Sequence, residues 1–263
     1  MEIGRYERPK TMDEAYSLIV GQRGLPIAGG AWTHLAVKKA ALVVDLSDLD
    51  LRYIRDSGDA IEIGAMATAR DLEISPLLTA NFGNLFREAT SHLVGVQLRN
   101  VITAGGTVAG KFGFSDLVTA LTALNASLCF YGAGCADMAG FLTAPRDKPF
   151  LLEKIVVKKG AAAAFQSLRA TANDFAILNA CAAFVEGAAW RVAVGARPAV
   201  SRLSPAAAEI LGREGAPGVE TAGRAGAAAA AELSFGEDTR GSAEYRRDLC
   251  AVLVKRAVME ASR

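Results

Sequence analysis

The chain has 263 residues, of which 51% are hydrophobic and 22% charged, and its 29 basic and 28 acidic side chains leave a formal charge of +1. That apolar content excludes a mainly disordered chain, and the charge balance excludes the basic footprint of a nucleic-acid binder. The length predicts one large or two modest domains. The N-terminal run Met1–Arg8 is charged, so no signal peptide is expected. No stretch reaches the ~18 uninterrupted apolar residues of a membrane span; the richest, 175–190, is broken by Asn179 and Glu186. Cys129, Cys135, Cys181 and Cys250 fall in no paired spacing. A cytoplasmic protein with reduced thiols is therefore expected.

In chain order, Thr11-Met12-Asp13-Glu14 reads as a capping box opening a helix with Ala15, Leu18 and Ile19 on its apolar face. Leu25–Ala28 reads as a short buried strand leading into Gly29-Gly30, residues 31–40 as helical, and Leu42–Leu46 as a second buried strand, a βαβ-like opening. A hairpin follows, 51–55 and 61–64 about the turn Ser57-Gly58-Asp59. Ser75-Pro76 starts a short helix, and Asn84–Leu93 reads as another. After the second glycine loop, Thr103–Thr107, Ser115 caps a helix through Leu124, and Ser127–Tyr131 is a strand. Beyond residue 160, strands are expected near 165–171, 179–186 and 189–195. The Ala/Gly-rich stretch 215–231 is either a helix or a mobile connection. Glu244–Ala261 closes the chain as an amphipathic helix, with Leu249, Val252, Leu253, Arg256 and Ala257 at helical spacing.

Several motifs fail on inspection. Gly105 to Phe112 nearly spells a P-loop, but Phe112 stands where a hydroxyl residue should bind Mg²⁺. Gly132-Ala133-Gly134 lacks the third glycine of a dinucleotide fingerprint, since Asp137 occupies that place. His34 and His92 sit in no metal motif. What remains is a pair of Gly-Gly steps, each after an apolar or extended segment. Glycines of this kind can present consecutive backbone N–H groups to a diphosphate with no Cβ in the way. Asp116 follows the second step at a distance that suits a carboxylate accepting hydrogen bonds from cofactor hydroxyls.

With these residues in place, the chain resembles the FAD-binding subunits of molybdopterin-dependent dehydrogenases, the group of the xanthine dehydrogenase flavin module and the carbon monoxide dehydrogenase medium subunit. The likeness runs through Tyr6-x2-Pro9, Ile27-Ala28-Gly29-Gly30, Ile61-x-Ile63-Gly64-Ala65 and Arg99-Asn100-x2-Thr103-Ala104-Gly105-Gly106. It continues through Ser115-Asp116, Phe141-Leu142 and Leu151-Leu152 to Gly241-Ser242-Ala243-Glu244-Tyr245-Arg246.

The resemblance implies an α/β (α+β) fold in two parts. Residues 1–158 would form a two-lobed FAD-binding domain of the vanillyl-alcohol oxidase-like superfamily, with a βαβ lobe to about residue 55 and a mixed-sheet lobe to 158. Residues 159–263 would form a small antiparallel sheet packed by helices. Ala28, Gly29, Gly30, Ala31, Trp32 and Thr33 would make the first loop around non-covalent FAD, and Thr103, Ala104, Gly105, Gly106 and Thr107 the second. Asp116 would hold cofactor hydroxyls, and Leu93 and Leu152 would line the flavin. The implied function is electron transfer inside a complex, from a [2Fe–2S] small subunit through FAD to NAD⁺ or another acceptor, while a molybdopterin-binding large subunit oxidises the substrate. No catalytic side chain is implied. Ala31-Trp32, Thr107 and Gln166 depart from the family's usual polar residues, which leaves a structural subunit with lost or weakened FAD binding as the alternative. Covalent attachment through His34 or His92 is the less favoured rival, as neither sits in an attachment motif.

Overall fold

The computed structural model describes residues 1–146, 148–185, 189–212 and 216–263; the side chain of His34 and the end of the expected 179–186 strand at Glu186 lie outside that description. The chain opens with β1 (Glu2–Glu7), α1 (Met12–Tyr16, continued by a π-turn over Ser17–Gly21), β2 (Leu25–Ile27), α2 (Thr33–Ala36) and β3 (Lys39–Asp45). These strands form a parallel sheet in the order β1-β3-β2. The Thr11 hydroxyl caps α1 by accepting from Glu14 N–H, and the Glu14 carboxylate reaches back to the Lys10 N–H. Ala15, Leu18 and Ile19 pack on Leu42 and Val44 of β3. One expectation needs correction here: the segment expected to be helical to residue 40 stops at Ala36 and turns into β3 at Lys39, while the charged run Glu2–Glu7 forms a strand. Pairing of Glu2 with Lys39 and Ile3 with Ala40 overrides the helical preference of the alanines.

The second layer begins with the hairpin β4 (Ile54–Asp56) and β5 (Ala60–Gly64), turning at Gly58 with φ +89°. Next come α3 (Ala69–Ile74), α4 (Pro76–Phe82), α5 (Leu85–Thr90), α6 (Val96–Arg99), α7 (Ala104–Gly110) and α8 (Asp116–Ala123). Then β6 (Ser127–Phe130), β7 (Gly134–Asp137), α9 (Met138–Thr143) and β8 (Leu152–Lys158) complete a five-stranded sheet, β4-β5-β8-β6-β7. Every pair in it is antiparallel, so the expected mixed sheet is corrected. Cys129 and Cys135 face each other across the β6–β7 hairpin and are disulfide-bonded, against the expectation of four reduced thiols. Cys181 and Cys250 are buried free thiols; burial pushes Cys181 upward and Cys250 up to about 12, so neither is a ready nucleophile.

The third layer is the antiparallel sheet β12-β11-β10-β9, built from β9 (Ala161–Leu168), β10 (Leu178–Val185), β11 (Trp190–Gly195) and β12 (Arg202–Leu203). It is buried on both faces, which explains the continuous apolar run in β10. Leu178, Ala180 and Ala182 face α10 (Pro205–Leu211), α11 (Val219–Glu232) and α12 (Ala243–Ala261), whereas Cys181 and Ala183 face the core around α8. The alanine-rich stretch is thus a helix from Val219, and its first residue, Gly215, lies outside the described chain. Gly226 of α11 has no room for a Cβ against the Ala251 carbonyl, so the two helices touch backbone to backbone. The buried stripe of α12 is Cys250, Leu253, Val254, Ala257, Val258 and Ala261; Val252, expected within it, is exposed. Arg246 is fully buried and donates to the carbonyls of Ile177, Gly236 and Gly241 and to the Asp238 carboxylate, locking the chain entering α12 to β10. Among the described residues no helix is long and apolar enough to cross a membrane.

Candidate cofactor-binding site

The two glycine steps meet in space. Gly29 packs so closely on the Val101 carbonyl that no Cβ fits between them, and Gly30 takes a positive φ of +68°. Gly105 sits against Ala65, where a Cβ would lie 2.7 Å from the carbonyl oxygen and 2.8 Å from the Ala65 Cβ. Between the two lies a cavity of about 410 Å³. Ala28, Gly29, Gly30, Ala31, Trp32, Thr33, Thr103, Gly105, Gly106, Thr107 and Leu152 line it, so the fold brings most of the sequence candidates together.

Three candidates are placed elsewhere. Ala104 is buried behind the wall, because its N–H donates to the Ala67 carbonyl and turns the residue inward. Leu93 lines a second, small hollow of about 20 Å³ that shares Trp32, Ile102, Thr107 and Phe112 with the main cavity. Asp116 lies off the cavity and is buried, with one carboxylate oxygen 2.6 Å from Arg169 Nη2 and the other 2.6 Å from Asn179 Nδ2. Burial pushes its carboxyl upward, opposed by Arg169 and Asn179. The expectation that it holds cofactor hydroxyls is therefore corrected: in this structure Asp116 ties α8 to β9 and β10.

The second glycine segment is also not a loop. Thr103 caps α7, and residues 104–107 are that helix's first turn. Its amides are engaged within the protein: Ala104 and Gly105 donate to the Ala67 and Ala65 carbonyls, Gly106 to the Thr103 hydroxyl and Thr107 to the Thr103 carbonyl. In the first segment, by contrast, the amides of Ala31 and Trp32 make no backbone hydrogen bond to a described residue.

Sequence reasoning missed several wall residues. Met66, Val101, Ile102, Phe150 and Leu151 make the cavity predominantly apolar. Trp32 joins an aromatic cluster with Phe112, Phe114 and Phe175, at ring-centroid separations of 6.1, 5.7 and 5.8 Å. The Phe112-Gly-Phe114 spacing was its one local signal. Arg146 is the one charged side chain on the wall among the described residues. Gln166, expected to cost a cofactor contact, instead donates to the Glu260 carboxylate at 2.5 Å. Among the described residues no group of three or more His, Cys, Asp or Glu is placed to hold a metal ion.

Comparison with known proteins shows the family. Residues 1–158 match the FAD-binding domain of molybdopterin dehydrogenases, and residues 163–261 match the carbon monoxide dehydrogenase flavoprotein C-terminal domain. The carbon monoxide dehydrogenase medium chain of Hydrogenophaga pseudoflava is 28% identical, over 96% of this chain and 95% of that one. The nicotinate dehydrogenase FAD-subunit of Eubacterium barkeri is 33% identical, over 46% of this chain and 43% of that one. A chain of the solved Hydrogenophaga pseudoflava carbon monoxide dehydrogenase superposes with a TM-score of 0.88 at 26% identity, covering 98% of this chain and 96% of that one. The chain belongs to the flavoprotein family of molybdopterin dehydrogenases, as a subunit of the carbon monoxide dehydrogenase medium-chain type. It is accordingly an FAD-dependent oxidoreductase subunit.

Proposed function

We propose that this chain carries FAD as the electron-transfer subunit of a cytoplasmic molybdenum hydroxylase or dehydrogenase complex. It would take electrons from a [2Fe–2S] small subunit and pass them through FAD to NAD⁺ or another acceptor, while a molybdopterin-binding large subunit oxidises the substrate. The observation that carries this reading is the single cavity where both glycine segments converge: open amides at Ala31 and Trp32, apolar walls and one cation. Such a lining fits a ligand with a diphosphate centre and planar, apolar ends.

In this reading Ala28–Thr33 hold the phosphates, Thr103 and Gly105–Thr107 form the opposite wall, and Trp32, Phe150 and Leu152 offer surfaces to a ring. FAD held there would supply the two-electron redox chemistry. The chain itself binds and orients the cofactor and keeps water from it. No proton-transfer side chain is nominated, since among the described wall residues Arg146 is the only ionisable one. A structural subunit without FAD is the second reading, and the observation in its favour is Trp32, whose bulk at the first loop is held in place by three phenylalanines.

The test is to isolate the tagged chain from its own cells and to quantify flavin, iron and molybdenum in one particle. Co-purification of all three is expected. A flavin-loaded chain that runs alone, free of iron and molybdenum, contradicts the assignment.

A further inference from the structure

Within the FAD reading above, on which this inference rests, the walls leave the negative charge of a diphosphate almost unanswered. Backbone amides carry only partial charge, and the rest of the described lining is apolar or neutral apart from Arg146. The lysine that looks like a phosphate ligand in the sequence, Lys111, is engaged elsewhere. Its Nζ donates to the Ala144 carbonyl at 2.8 Å and lies 4.2 Å from the Phe141 ring centroid. Lys111 is buried at the end of α7 in a left-handed conformation, φ +44°, which turns it away from the position a P-loop lysine would need.

Arg146 is held differently. Its Nη2 donates to the carbonyls of Gly110 and Lys111, at 2.8 and 3.1 Å. Those two acceptors close α7, the helix whose first turn contains Gly105 and Gly106. Gly110 and Arg146 line the same cavity as Ala31 and Trp32, whose amides are the ones left open to a diphosphate. Nε and Nη1 make no hydrogen bond to a described residue, so most of the guanidinium donors remain for a ligand. Among the described residues, Arg146 and Lys111 meet backbone carbonyls and the Phe141 ring rather than a carboxylate. The two cations repel one another: burial, and then the charge of Arg146, hold the Lys111 ammonium below its ordinary value. Positive charge that meets no carboxylate among the described residues, at the rim of an apolar cavity, is the complement of an anionic ligand.

We infer that Arg146 is the charge-bearing, specificity-determining residue of this site, anchored on the α7 carbonyls to bind the diphosphate of the dinucleotide.

FAD and ADP are the probes, titrated against the full chain and its Arg146→Gln and Arg146→Lys variants at several KCl concentrations. Arg146→Gln should weaken both ligands about 10- to 100-fold, the usual range for losing a charge-assisted contact. It should also flatten the salt dependence of binding, because the screened charge is gone. Arg146→Lys keeps the charge without the planar fork and should fall between the two. Equal thermal midpoints of the ligand-free proteins would show that α7 is intact in the variants. If Arg146→Gln binds FAD within twofold of the parent, or loses affinity with an unchanged salt slope, the inference is overturned while the FAD reading stands. If the parent chain binds neither FAD nor ADP, both fall.

Discussion

The two glycine segments look interchangeable in the sequence, yet the structure uses them in opposite ways. The first, around Gly29 and Gly30, is an open turn pressed onto the Val101 carbonyl, with amides at Ala31 and Trp32 that no described backbone group satisfies. The second, around Gly105 and Gly106, is a capped helix start whose amides are all committed to Ala65, Ala67 and Thr103. Glycine in the second segment serves close packing of α7 on the chain after β5, and glycine in the first packs on the Val101 carbonyl while the amides that follow it stay open on the cavity wall. A Gly-Gly step therefore reports that backbone must approach something closely, and only the hydrogen-bond count tells whether that something is protein or ligand.

Substitutions should separate the two roles. The largest effect is expected at Gly29→Ala, where the methyl group collides with a backbone carbonyl that cannot move without shifting α6. A loss of roughly 3 kcal/mol or more in urea unfolding, together with loss of FAD binding, is expected. Gly105→Ala meets a milder overlap with Ala65 and should cost about 1–3 kcal/mol. Glu73 braces the segment that carries Val101, accepting from Arg99 Nε at 2.8 Å and pairing with Arg70 Nη1 at 2.9 Å. Burial alone would raise its carboxyl, but the hydrogen bonds from Arg70 and Arg99 outweigh it and hold it below the ordinary glutamate value. The brace is thus fully present above the ordinary glutamate range and is lost as pH falls through the depressed value. Glu73→Gln should cost about 1–2 kcal/mol at neutral pH and less in acid, read from melting curves across pH. Thr103→Ala removes the α7 cap, for about 1 kcal/mol by the same assay. Ala31→Ser should leave stability within about 0.5 kcal/mol, since Ala31 is only half-buried and lines the cavity.

Much of this was legible before the structure, and what was legible was local. The caps at Thr11, Ser75 and Ser115 fall where the sequence puts them, because a hydroxyl three residues before an orphan amide is a short-range signal. β3 was misplaced at its start because Lys39-Ala40-Ala41 has no strand character of its own and is held by pairing with β1. The disulfide depends on a hairpin that aligns Cys129 with Cys135; the glycines at 132 and 134, both at positive φ, were the available clue. Asp116 was read as a ligand because its partners lie 53 and 63 residues away, and no spacing rule brings Arg169 or Asn179 to it. Arg146 escaped notice for the same reason, since only the fold places it at the end of α7. The family pattern pointed to residues that the fold gathers around one cavity, while the hydrogen bonds show which of their backbone amides are committed within the protein.

The measurement that most directly tests the central claim is the near-ultraviolet and visible spectrum of the purified chain, recorded after incubation with excess FAD and desalting, and again after denaturation and filtration. Flavin bands that survive desalting and pass the filter after denaturation are the predicted result, marking FAD held tightly and non-covalently in the cleft between the glycine segments. A folded chain that stays colourless after this treatment would contradict the account.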